Sequence, residues 1–129
     1  MRIYRDADSQ ARPVDANSFV GPATTKLLAS GEAGAAVHVY RVTFEPGGRT
    51  NWHVHSGPQW LFVLEGRIRV QTSGEPPTEV RTGDAVLFAP GERHWHGAPP
   101  DSRGVHLAVN LNVKTEWLEP VSDEEYQAL

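Results

Sequence analysis

Short apolar segments, several alternating with polar residues, are separated by Gly- and Pro-bearing breaks along most of the chain. Residues 37–44 are rich in β-branched and aromatic types and stop at Glu45-Pro46-Gly47-Gly48, which predicts a strand running into a turn. Residues 60–64 are almost continuously apolar, and Glu65-Gly66 predicts their turn. Residues 67–71 alternate, predicting Ile68 and Val70 inward and Arg67 and Arg69 in water. Residues 78–81 and 85–88 read as further strands between turns at Gly74–Pro77, Gly83-Asp84 and Pro90-Gly91. In residues 105–111, Val105, Leu107, Val109 and Leu111 share one face, and His106, Ala108 and Asn110 share the other. Such a succession of short strands predicts an all-β sandwich or barrel.

Only the C-terminus predicts a helix. Ser122-Asp123-Glu124-Glu125 is a capping box, with Val121 and Tyr126 at the staple positions. Residues 18–20 and 25–28 are candidate edge strands, and nothing marks a linker, repeat or second domain, so residues 1–129 are expected to form one unit. A chain of 129 residues with 39% hydrophobic residues can bury a core. Its 12 Lys and Arg against 16 Asp and Glu, with no basic run, argue against an electrostatic nucleic-acid binder. No apolar run is long enough for a membrane span or a signal peptide, which leads us to expect a cytoplasmic protein. With no cysteine, thiol catalysis and zinc–thiolate sites are excluded.

Four of the six histidines form two His-X-His pairs, His53/His55 and His94/His96. On a strand, positions i and i+2 share a face, so His53 and His55 can address one centre. Gln59 offers a side-chain oxygen four residues later, and His94 a third imidazole just after the Pro90-Gly91 turn. Imidazole suits Zn, Fe, Ni and Cu, and with oxygen donors also Mn. Solvated strand histidines would be the ordinary reading of any one of these residues; two pairs beyond Gly-bearing turns favour one divalent metal. Trp52, Trp60 and Trp95 flank these residues and are read as core, although they could shape an apolar pocket. His38 is read as structural or surface, and Glu65, Arg67 and Arg69 as a solvated turn and strand.

These residues resemble the two motifs of the cupin superfamily. Gly47, five residues, His53-Val54-His55, three residues, Gln59, six residues and Gly66 follow the first motif. Gly83-Asp84 and His94 follow the second, after a gap of sixteen residues. The resemblance implies a double-stranded β-helix, or jelly-roll barrel, with metal ligands His53, His55, Gln59 and His94. Gln59 stands where the family usually has glutamate, Ala89-Pro90-Gly91 where it has Pro-X-Gly, and Ala98 where it has asparagine. Glutamine leaves the site with neutral ligands only, so a bound dication would keep its full charge and favour an anionic partner.

A narrower resemblance, from about Thr43 to Tyr126, is to small manganese cupins with (R)-selective mandelonitrile (hydroxynitrile) lyase activity. It rests on the histidine pairs, Gln59, Pro90–Gly97, His106-Leu107-Ala108, Trp117 and residues 124–126. It implies Mn as the metal, with Fe, Zn or Ni possible, and a small-molecule substrate in a homodimer or homotetramer. His106 is a candidate general base on a metal-held hydroxyl, with a core histidine the competing reading. His96 is a candidate acid or a support for the metal ligands. Tyr40, Val42 and Asn110 are expected to line the substrate pocket; Tyr40 and Asn110 depart from the lyase pattern. Competing expectations are an Fe- or Mn-dependent dioxygenase and a non-enzymatic small-ligand binder.

Overall fold

A computed structural model describes residues 1–129. Its strands are β1 (Arg12–Pro13), β2 (Phe19–Val20), β3 (Ala23–Glu32), β4 (Ala36–Phe44), β5 (Arg49–Thr50), β6 (His53–His55), β7 (Gln59–Thr72), β8 (Thr78–Arg81), β9 (Ala85–Phe88), β10 (His94–Gly97), β11 (Gly104–Leu111) and β12 (Thr115–Trp117). A 3-10 turn at Asp6–Asp8 precedes them and helix α1 (Asp123–Tyr126) follows. The strands pair antiparallel in the order β1-β3-β4-β11-β7-β10-β5-β2, and the sheet curls into the expected all-β barrel.

The curl depends on β7, which is one strand of 14 residues, where the sequence suggested two strands and a turn at Glu65-Gly66. Its first half pairs with β11 and β9, its second with β10 and β8. Between them the strand bends instead of reversing. Gly66 takes φ +67°, and a Cβ there would stand 2.0 Å from the Arg103 carbonyl oxygen, so only glycine can make this corner.

Inside the barrel, Phe44, Leu61, Val63, Ile68, Val70 and Phe88 pack together, with Phe88 stacked on His94 and Phe44 against His106. A second cluster lies on the outer face of β10, where Trp52, Trp95, Val121 and Tyr126 meet beneath α1. Both arms of the capping box form: Glu125 N donates to Ser122 Oγ (3.1 Å), and Ser122 N donates to Glu125 Oε1 (3.0 Å). Arg69 is buried rather than solvated, because it donates to the Tyr126 carbonyl at 2.8 Å and lies over the Tyr126 ring. Arg67 is half-buried and pairs with Glu79 and Asp101.

Trp52 and Trp95 are core residues as expected; Trp60 is not. With Phe62, Leu64 and Leu87 it stands exposed on the outer face of β7 and β9, and the half-buried Leu107 and Val109 continue that row on β11. The apolar 105–111 face thus points outward beyond Val105, and the His106–Asn110 face lines the interior. No helix is long and apolar enough to cross a membrane.

Candidate metal centre

Strand alternation and register bring the histidines together. On β10, His94 and His96 point into the barrel while Trp95 points out to α1. His94 lies opposite His53 in the antiparallel pairing of β10 with β6. Gln59 begins β7, and His106 and Asn110 come from the neighbouring β11. The ring centroids of His53 stand 4.9 Å from His55, 4.3 Å from His94 and 5.4 Å from His96. One donor atom each from His53, His94 and His96 lies within 4.8 Å of the others, a group that could hold a metal ion.

The hydrogen bonds around these rings settle how each faces the centre. His53 Nδ1 donates to the Asn51 carbonyl at 2.8 Å, and His94 Nδ1 to the Glu92 carbonyl at 2.7 Å. His55 Nδ1 meets Thr115 Oγ1 at 2.9 Å, while its Nε2 is buried with no partner. Gln59 Nε2 donates to Asn110 Oδ1 at 2.8 Å, which turns Oε1 toward His94 Nε2, 3.3 Å away. A backbone or side-chain partner on Nδ1, with Nε2 turned inward, is how metal-bound imidazoles are usually held. An orphaned inward nitrogen beside an amide oxygen fits a divalent cation and leaves a polar atom uncompensated without one. The residues therefore suit the metal that the fold implies.

His96 and His106 form a pair behind this group, with His106 Nε2 and His96 Nδ1 3.0 Å apart. His106 is completely buried, packed against Phe44, and its Nδ1 has no partner. Burial pushes His106 down to about 4, with the Leu107 backbone opposing, and His94 to about 4 as well. Desolvation also holds His53 and His96 well below 6.5, with repulsion from neighbouring imidazoles adding to it. His55 is lowered, again chiefly by burial. These rings are therefore neutral at pH 7, the form that ligates a metal or accepts a proton.

A cavity of about 300 Å³ opens onto His53, His55, Gln59 and His96. Tyr40, Val42 and Asn110 line it, and Asn110 also orients Gln59. His106 does not reach the cavity wall, because His96 lies between. Phe19 and Trp117 form an aromatic rim with ring centroids 5.7 Å apart, and Trp117 lies 4.7 Å from the His53 ring. The half-buried His38 stacks on Tyr40. Sequence reasoning missed Thr115, although Thr115-Glu116-Trp117 carries a β-branched and an aromatic residue flanking a charge, the pattern of a short strand.

With barrel and histidines in place, the relatives decide the family. Residues 40–110 match the Cupin domain family, and a "(R)-mandelonitrile lyase" of Granulicella tundricola is 38% identical over 130 residues, covering 98% of this chain and 99% of that protein. The chain is a cupin. A solved cupin-like protein of Thermotoga maritima superposes with a TM-score of 0.85 at 39% identity, covering 89% of this cupin and 90% of the other. A "3-hydroxyanthranilate 3,4-dioxygenase" of Xanthomonas campestris pv. campestris is 31% identical over 81 residues, covering 60% of this cupin and 43% of that enzyme. The polyketide cyclase of Streptomyces resistomycificus shares only the fold, with a TM-score of 0.75 at 22% identity over 98% of this cupin and 91% of the cyclase. This cupin thus has lyase and dioxygenase relatives around a histidine group able to hold a metal.

Proposed function

We propose that this cupin is a metal-dependent lyase that splits hydroxynitriles into an aldehyde or ketone and hydrogen cyanide. The observation that carries the reading is the carboxylate-free donor set, His53, His55, His94 and the inward oxygen of Gln59, of which all but the deeper His94 line a cavity with an aromatic rim. His55 belongs in the set because it lines the cavity beside Gln59 and its Nε2 is buried without a partner. His96 has Nδ1 engaged by a second imidazole and serves the substrate instead. Mn(II) is the ion proposed, and Fe, Zn and Ni suit the same donors. Such a dication would acidify a hydroxyl and hold an anion, the more strongly because no ligand cancels its charge.

The chain's own residues do the rest. Tyr40, Val42 and the Phe19–Trp117 rim enclose the organic part of the substrate. His96, neutral and on the cavity wall, takes the hydroxyl proton, and His106 behind it shares the charge through the 3.0 Å Nδ1–Nε2 contact. The oxygen electron pair forms the carbonyl as the carbon–carbon bond breaks, and that bond's electrons leave on cyanide. Return of the proton to cyanide gives hydrogen cyanide and restores the neutral pair. This assigns His106 a supporting place in the base, one ring further from substrate than its strand position suggested.

The 31% identity to dioxygenases favours a second reading, in which the same donors hold Fe(II) for reaction with oxygen. Metal-loaded protein given mandelonitrile and, separately, catechol-type substrates under oxygen distinguishes them. Cyanide release without oxygen uptake supports the lyase; oxygen uptake without cyanide release overturns it. We further propose a homodimer or homotetramer, for which the exposed Trp60–Phe62–Leu87 row supplies an apolar face, and sedimentation tests it.

A further inference from the structure

The three imidazoles proposed as ligands are not held alike. A neutral imidazole carries one N–H, so presenting Nε2 to a cation requires the hydrogen on Nδ1. His53 meets a backbone carbonyl, which only accepts, and for His94 the Glu92 carbonyl at 2.7 Å outcompetes the Gln59 oxygen 3.3 Å from its Nε2, so the folded chain favours that tautomer in both before any ion arrives. His55 faces a hydroxyl instead, which can donate as readily as accept. Thr115 Oγ1 has no other hydrogen-bond partner in the chain to decide the matter. Its placement is a product of register: β12 pairs with β6, Thr115 opposite His55 and Trp117 opposite His53. The bond therefore joins one of the proposed ligands to a strand at the sheet margin.

We propose that Thr115 is a positioning residue of the metal centre: its hydroxyl accepts from His55 Nδ1–H and so supports the tautomer that a bound cation selects. In the metal-free protein the His55–Thr115 pair runs in either direction, the hydroxyl donating to Nδ1 in one state and accepting in the other. Metal binding draws the pair into the accepting state. The hydroxyl then makes His55 a better electron donor, as outer partners of metal-bound imidazoles do. The inference rests on the metal reading above but on no particular reaction.

Two measurements test it on the full chain, neither needing turnover. The first is Mn(II) and Zn(II) affinity of the parent, Thr115→Val and Thr115→Ser. Valine keeps the shape and suits a strand, so folding checked by circular dichroism should hold. We expect Thr115→Val to bind roughly 10- to 100-fold more weakly, the range for a lost outer partner, and Thr115→Ser to bind like the parent. The second is the histidine tautomers by nitrogen-15 NMR at pH 7.5, metal-free and with diamagnetic Zn(II). We expect His53 and His94 to show only Nδ1–H in both states, and His55 to change from a mixture to Nδ1–H on loading.

Parent-like affinity in a folded Thr115→Val, or a His55 fixed as Nδ1–H without metal, overturns the proposal and leaves the metal site standing. A parent that binds neither ion overturns the metal reading itself. Should Thr115→Val fail to fold, weak binding by Thr115→Ser or an unchanging His55 tautomer would overturn the proposal alone.

Discussion

Acidifying the metal-free protein should destabilise it markedly before its carboxylates titrate. The cause is the buried histidine group. A histidine whose folded pKa is lowered leaves the unfolded chain to bind protons first, so its stability contribution is complete above about 6.5 and is lost as pH falls toward the folded value. His94 and His106, both pushed down to about 4, lose it between those limits. At pH 5 each is about 1.5 units below the unfolded value, which corresponds to about 2 kcal/mol apiece. Two such groups remove about 4 kcal/mol from a total that for most domains is about 5–15 kcal/mol. His53 and His96 shift in the same direction and steepen the loss. The assay is urea unfolding with a chelator present, at pH 7.5 and 5.0. With a slope near 2 kcal/mol/M, the midpoint should fall by about 2 M or more. In His106→Leu the difference between the two pH values should shrink by about 1 M. A parent midpoint that moves by less than about 0.5 M would refute the reasoning, because the folded state would then be taking up protons as freely as the unfolded chain.

Four further outcomes are expected. His53→Ala and His94→Ala should each lose most bound metal by elemental analysis, and full occupancy in both would discard the ligand assignment. Gln59→Glu should bind metal as well as the parent or better but azide or cyanide more weakly, since a carboxylate cancels one unit of charge; unchanged azide affinity by titration contradicts the charge argument. His96→Ala should keep its metal and lose roughly 100- to 10,000-fold in cyanide-release rate, with His106→Ala losing less because a ring still faces the cavity. In the parent the acid limb of activity should lie below pH 6.5, as burial lowers both rings; a limb above 6.5 would remove the pair from the base role.

Much of the architecture was legible because local pattern and environment agree. The strands at 78–81 and 85–88 and the capping box at Ser122–Glu125 need only turn chemistry and alternation to be read. Errors fell where one strand serves two surroundings. Glu65-Gly66 looks like a hairpin turn, and only the approach of the Arg103 carbonyl shows it to be a corner in a continuous strand. Arg69 alternates as a solvent residue but meets the Tyr126 ring and carbonyl, contributed from 57 positions away. Trp60 reads as core because local hydrophobicity cannot tell the two faces of a strand apart.

The sequence by itself determined which atoms are available to the centre: two His-X-His pairs, a neutral amide in place of a carboxylate, and no thiol. Those are composition and spacing, and period-two geometry turns them into donors that share a face. Only tertiary structure decided what each donor does. The pairing of β10 with β6 sets His94 against His53, and Asn110 on β11 turns the Gln59 oxygen inward. Curling the sheet buries His106 behind His96, lowering both rings and leaving only His96 at the cavity. The pairing of β12 with β6 gives His55 a hydroxyl where its neighbours have carbonyls. Each of these contacts joins residues remote in the chain, and a hydrogen bond's direction or a ring's desolvation exists only after the partners have been brought together.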